Sequence, residues 1–359
     1  MELGSEFCRE VAGRDPLGAD AVLARLPELN AGGDVAALAR ELDALVAGGR
    51  PGRQVDVRDR LAVLRDLGMF LGSLRRHGVE PLDAVPGAGP VLLELGAAVG
   101  MVPRDTVLHY GVWNPAGPRR RMFTGAAEEG VLIDAVRVSA PAVERAALAL
   151  AGLEGLKPDE PAFADGCEEA AARLAVLPEV AARVAGSVDP ATFFMSRLRP
   201  YMEDVRVGDR RYFGPAAAHV PLYLVDHLLW SGDRPDPGHL LLQEELTGYG
   251  LPAWAALHRE RAGRPTVATV LARAQAEAGP RPGADLRRTA DAVAGLLRSL
   301  LAFRGRHLGL VRRAYTADAG YGTGSAGAAP ETVRLVLELT RQRARQLRAP
   351  GGGAGEPTR

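Results

Sequence analysis

Leu300-Leu-Ala-Phe-Arg-Gly-Arg-His307-Leu-Gly-Leu-Val-Arg-Arg-Ala-Tyr315 is the end of a long helical run that opens near Ala284. Val293, Leu296, Leu297, Leu300, Phe303, His307, Leu310, Val311 and Ala314 recur at steps of three and four, so they share one helix face. Arg298, Arg304, Arg306, Arg312 and Arg313 flank that face or lie opposite it. An imidazole therefore stands in mid-stripe, where packing alone favours leucine. Two readings stay open: a core histidine bonded to a neighbour, or a neutral imidazole that ligates a metal.

Working outward, helical spacing returns at 34–46, 57–74 and 91–99. From Pro141 it runs through 141–155, 168–186, 190–202, 216–231, 238–260, 266–278, 284–316 and 330–348. Breakers at 208–209, 232–235 and 279–283 separate these segments. No strand–helix alternation with glycine-rich turns appears, which excludes a parallel nucleotide-binding sheet. The predicted class is all-α. Residues 1–125 form a smaller, mostly helical region, residues 126–349 a larger helical domain, and residues 350–359 a disordered tail too poor in apolar groups to order itself. One segment departs from the pattern: between Thr106 and Thr124, β-formers flank an Asn114-Pro-Ala-Gly117 turn signal, predicting a short hairpin or an extended loop. It gathers His109, Tyr110, Trp113 and Phe123 in a chain with only 5% aromatic residues, either as a plug on the helical core or as the lining of an aromatic pocket.

Bulk composition narrows the function classes. With 359 residues the chain can bury a sizeable core. Forty-four basic residues balance 44 acidic ones, so nothing points to nucleic acid or an anionic membrane surface. Cys8 and Cys167 give neither a metal spacing nor a disulfide framework, and no apolar run reaches the roughly 18 residues of a membrane span. A cytoplasmic location is expected.

Hydrolase and phosphate-loop motifs are missing. The pairs Glu128-Glu129 and Glu244-Glu245 sit at adjacent helical positions, diverge, and read as solvated charge. Arg304, one turn before His307, can reach an anion beside the imidazole. Arg199, in Phe193-Phe-Met-Ser-Arg-Leu-Arg-Pro-Tyr201, stands in an apolar helix with Phe194, Leu198 and Tyr201 inward. It needs an acceptor, either Glu203 or Asp204 or the carboxylate of a ligand. Gly214-Pro-Ala-Ala-Ala-His219 is a small-residue run that lets a backbone approach something flat. Gly320-Tyr-Gly-Thr-Gly-Ser-Ala-Gly327 reads as a loop or an anion nest. His109 and His219 are candidates for moving a proton.

Several of these pieces occur together in one order. They are Leu108-His-Tyr-Gly-Val-Trp-Asn-Pro115 with Phe123-Thr-Gly125, Arg197-Leu-Arg-Pro-Tyr201, and Gly214 to Pro221 with Leu224-Val-Asp-His-Leu-Leu229. Leu297-Arg-Ser-Leu-Leu-Ala-Phe-Arg-Gly-Arg-His307 completes the series. In this the chain resembles the monodechloroaminopyrrolnitrin synthase family over roughly residues 15 to 348. It resembles indoleamine 2,3-dioxygenase more distantly, through Phe194 to Arg199, residues 214–219, Arg304-x-x-His307 and Gly322-Thr-Gly324. The resemblance implies an indoleamine 2,3-dioxygenase-like helical haem domain whose distal side is closed by the N-terminal region. It implies haem b held through iron by His307, with O2 or peroxide as oxidant and an electron donor as a possible partner. Arg304 then looks like the partner of a haem propionate, and Ala216, Ala217, Ala218 and His219 like the stretch over the distal face. Arg199, Tyr321 and Ser325 resemble catalytic positions. Arg199, Phe194, Trp113, Tyr315, Thr323 and Ser325 resemble contacts to an aromatic amino-acid substrate. Where the dioxygenases carry two glycines and a serine in the distal stretch, this chain has Pro215, Ala216 and His219, and its loop before Gly322 is shorter. Both departures favour the pyrrolnitrin-type branch: oxidative transformation of tryptophan or a halogenated tryptophan, with indole rearrangement and decarboxylation, in secondary metabolism. Mono- or dioxygenation of an aromatic amino acid is the enzymatic alternative. A haem sensor or a helical interaction protein is the alternative of another class.

Overall fold

The computed structural model describes residues 1–48, 56–216, 219–315 and 330–347. Ala217, Ala218, Tyr321, Thr323, Ser325 and the expected tail lie outside the described residues. The chain is all-α. Its N-terminal helices are α1 (Ser5–Gly13), α2 (Asp20–Ala24), α3 (Leu26–Gly32), α4 (Val35–Gly48), α5 (Val57–Arg76), α6 (Pro81–Ala84) and α7 (Ala88–Val99). The remainder are α8 (Ala127–Ala151), α9 (Pro161–Leu174), α10 (Val176–Ser187), α11 (Leu222–Asp226), α12 (Pro237–Thr247), α13 (Pro252–Arg261), α14 (Val267–Ala278), α15 (Ala284–Ala314) and α16 (Pro330–Gln346). The strand pairing among the described residues is one antiparallel ladder, β1 (Val205–Val207) with β2 (Arg210–Tyr212), turning at Gly208, whose φ of 60° suits glycine. Among the described residues no helix is long and apolar enough to cross a membrane.

α5 is the axis of the N-terminal region. Asp56 caps it by accepting from the Arg58 amide, and Leu61, Leu64, Leu67, Phe70, Leu71 and Leu74 are fully buried. Each such side chain contributes about 1.5–3 kcal/mol of transfer free energy. The opposite face is buried too, and there the charges neutralise one another. Asp66 accepts from Arg65 at 2.8 Å and from Arg121 at 3.1 Å, while Arg65 also donates to the carbonyls of Val11, Arg14 and Trp113. Two glycines let neighbours close in. A Cβ on Gly68 would stand 2.3 Å from Asp105, and one on Gly72 would stand 2.6 Å from the Tyr201 carbonyl.

The expected helix at 141–155 instead begins at Ala127 and runs through Pro141. The proline removes one ladder bond, but buried Ile133 and Ala140 before it and Val143, Ala147 and Leu150 after it hold both halves down. The single segment expected at 238–260 is two helices. Gly250 lies between them, where a Cβ would fall 2.5 Å from Trp254. α15 spans 31 residues, about 46 Å at 1.5 Å per residue. It packs against α9, α10, α14, α16 and the wide-turn segment Pro190–Leu198.

Candidate active site

As far as Leu300 the predicted stripe of α15 is the buried face: Val293, Leu296, Leu297 and Leu300 are 0–3% exposed. Beyond Leu300 the pattern changes. Arg304 and Leu308 are buried, whereas Phe303, His307, Leu310 and Val311 keep intermediate exposure. Burial pushes the pKa of His307 below the ordinary imidazole value, with Arg304 adding to the effect, while the residue keeps intermediate exposure. Phe303 stacks on its ring, with centroids 5.8 Å apart and planes 13° from parallel. Its nitrogens have no hydrogen bond among the described residues.

Arg304 does reach an anion beside the imidazole, and that anion belongs to the protein. Its guanidinium donates to Asp226 on α11 and to the Thr340 hydroxyl on α16, with all three side chains buried. Asp226 also accepts from the Trp230 indole at 2.8 Å.

Arg199 follows the wide-turn helix Pro190–Leu198. Asp189 caps this helix by accepting from the Ala191 and Thr192 amides, and the Arg199 amide donates five residues back to the Phe194 carbonyl. The guanidinium is 5% exposed and pairs with Glu203 at 3.0 Å. Glu203 is thus the protein acceptor that the sequence offered beside a ligand carboxylate. Tyr315 at the end of α15 lies in the field of Arg199, which opposes the rise that burial imposes on the phenol pKa. From His307 to Tyr315 is about 12 Å along the helix. The structure thus brings Arg199, half-buried Phe194, Tyr315 and His307 to the two packed elements Pro190–Leu198 and α15.

The aromatic segment is a plug. No hairpin forms there. Residues Leu108–Val112 make a π-turn closed by the Trp113 amide on the Leu108 carbonyl at 2.8 Å, and Asn114 bridges to Tyr110 and Arg121. The β-formers are buried on every side, which a helical turn satisfies and an exposed two-stranded ribbon does not. Trp113 is 0% exposed, edge-on to His109 at 4.8 Å. It is a core residue of the N-terminal packing. Tyr110, Phe123 and Tyr201 form a ladder with centroids 5.6 and 4.7 Å apart, tying the plug to the Arg199 segment. Glu129 corrects a second expectation: it is fully buried, not solvated. Burial pushes its pKa up, against four donors: the Tyr110 and Thr124 hydroxyls and the Phe123 and Thr124 amides.

Ala216 is buried and His219 is fully buried, its ring stacked on Tyr249 at 4.4 Å. Neither ring nitrogen of His219 has a partner among the described residues, and burial pushes its pKa down to about 3. Asp226, Thr340 and the histidines at 227, 239 and 258 were not singled out by spacing. The signal for Asp226 and His227 was their place in Leu224-Val-Asp-His-Leu-Leu229, in which an acid and an imidazole interrupt an apolar helix.

Among the described residues no group of three or more His, Cys, Asp or Glu side chains is arranged to hold a metal ion. A lone accessible imidazole suits a metal that arrives inside a cofactor. Compared with protein-family models, residues 38–349 match the one described as monodechloroaminopyrrolnitrin synthase PrnB.

Proposed function

Because the chain belongs to the monodechloroaminopyrrolnitrin synthase PrnB family, a family of enzymes, we propose that it is a haem-dependent oxidoreductase of antibiotic biosynthesis. Its substrate is tryptophan or a halogenated tryptophan, and its reaction rearranges the indole ring with loss of the carboxyl group. The observation that supports this reading is His307: partly accessible, held neutral by burial, without a hydrogen bond among the described residues and backed by Phe303. Those properties fit a ligand to haem iron. Haem b, if held there by His307, would supply the activation of O2 or peroxide.

The chain's own residues supply placement. A guanidinium has five N–H donors, and Asp226 and Thr340 engage Arg304 through one nitrogen each, which leaves donors for a propionate. Arg199 holds the substrate carboxylate in exchange with Glu203, while Phe194 and Tyr315 flank the indole. Orientation of this kind lowers a barrier by on the order of 7–11 kcal/mol in favourable cases. The run Ala216 to His219 would help to hold the haem, and Tyr321, Thr323 and Ser325, which lie outside the described residues, would serve the substrate.

Expression with a haem precursor tests the reading. A Soret band is expected, and it is lost in His307→Ala with the far-UV spectrum unchanged. Well-folded protein without a Soret band would overturn it. A Soret shift on adding 7-chlorotryptophan, absent in Arg199→Ala, identifies an enzyme instead of a sensor. Product mass then separates rearrangement from insertion of two oxygen atoms.

A further inference from the structure

Behind α15, the corner made by α11, the wide turn His227–Ser231, α12 and α13 is unusually polar. Six side-chain atoms there are buried with no hydrogen-bond partner among the described residues: Tyr223 Oη, His227 Nδ1 and Nε2, His239 Nδ1, Gln243 Oε1 and His258 Nε2. They are neighbours. The His227 and His258 rings lie 4.0 Å apart, and Tyr223 is edge-on to His258 at 6.3 Å. Gln243 lies against His227, and its amide donates to the Tyr223 carbonyl at 3.1 Å and the Ser231 hydroxyl at 3.2 Å. Most buried polar atoms in folded proteins are paired, and each unpaired one costs roughly 1–3 kcal/mol. Six together point to a polar occupant. Among the described residues no group of three or more His, Cys, Asp or Glu side chains is arranged to hold a metal ion, so a metal does not fit here. Water does fit, since it both donates and accepts.

His239 stands at the exit of this corner. Its Nε2 lies 3.5 Å from the Gln243 amide nitrogen and 3.7 Å from the Asp226 carboxylate that holds Arg304, while its Nδ1 is buried without a partner among the described residues. At the other end His258 is outermost, 5% exposed, beside exposed Glu244 and Arg259.

We propose that this corner is a closed, hydrated proton relay, running from His258 through His227 and bound water to His239 and the Asp226 carboxylate, with Gln243 orienting the water. A proton enters one ring nitrogen as another leaves the opposite nitrogen, so only N–H and O–H bonds are made and broken. The charged and titratable groups facing the path are Asp226, Arg304, Asp236, Glu244, Arg259 and the three histidines themselves. All three imidazoles stay neutral near pH 7, because burial holds their pKa values below the ordinary one. The proposal goes beyond the haem reading and does not rest on it.

The test is NMR of the full-length protein labelled with 15N-histidine, following exchange of the His239 ring proton with water. Exchange is expected to be fast despite burial, and at least tenfold slower in His227→Phe/His258→Phe. His258→Gln, which keeps a polar group, is expected to retain most of it. A crystal structure is expected to show ordered water bonded to these rings. Unchanged exchange in the double variant, exchange lost equally in His258→Gln, a dry corner with the rings bonded to each other, or a metal ion on the rings would each overturn the proposal.

Discussion

Asp226 on α11 and Arg304 on α15 are an ion pair with both side chains buried, one helical turn from the imidazole of His307. Removing one partner of a buried pair strands the other charge, at a cost of about 3–5 kcal/mol. Arg304→Met and Asp226→Leu are each expected to destabilise the protein by that order in urea unfolding. The double variant recovers part of the loss, because neither charge is then left alone. Equal costs for the double variant and the sum of the singles would show that the two residues do not act as a pair.

Arg199 pairs with Glu203 at 3.0 Å, so under the proposed function Glu203 competes with a substrate carboxylate for the guanidinium. Glu203→Gln removes the competing charge and is expected to tighten tryptophan binding several-fold, read as the dissociation constant from the haem spectrum. Arg199→Lys loses the planar fork and weakens binding about 10–100-fold.

Burial holds all seven histidines below the ordinary imidazole pKa, His109 and His219 at about 3 and His227 at about 4. The sign follows from linkage. Below about pH 6.5 the unfolded chain binds protons that the folded chain refuses, so stability present above that pH is lost as the pH falls. Each such ring costs about 1.4 kcal/mol per pH unit down to its folded value. His219→Phe, which keeps the stack on Tyr249, is expected to flatten the decline in urea-unfolding free energy between pH 6.5 and 4 by about one proton. An unchanged slope would mean that the ring gains a partner not seen here.

Glu129 anchors the aromatic plug through four donors. Glu129→Gln sets an amide against backbone N–H groups and is expected to cost about 2 kcal/mol or more. Early proteolytic cleavage between residues 106 and 124 is the check on location.

The helices were legible because their apolar spacing repeats over many turns, as at Leu61 to Leu74 and Val293 to Leu300. Their ends were less so, since Pro141 and Gly250 are decided by what packs around them. At the site, periodicity placed His307 on an inward face but gave no sign that the face stays accessible past Leu300. Long-range pairing was illegible for a physical reason: the partner of Arg304 lies 78 residues away on another helix. The same holds for Glu129, whose sequence neighbour Glu128 is only partly buried and whose own burial depends on the plug folding over it.

The wide-turn segments at Leu108–Val112, Pro190–Leu198 and His227–Ser231 carry a consequence for engineering. Each is closed by an amide reaching five residues back, at Trp113, Arg199 and Gly232. A turn of that kind holds about one more residue than an α-turn. Deleting a single residue inside one of them would take out that extra residue and leave an α-turn, so side chains beyond it would keep their facing, whereas the same deletion in a regular α-helix rotates everything beyond it by about 100°. One codon removed from the 190–198 segment would thus be absorbed there, with Arg199 still in the field of Tyr315. The placement of Arg199 therefore tolerates a change in chain length at this segment, a property that substitutions alone cannot probe.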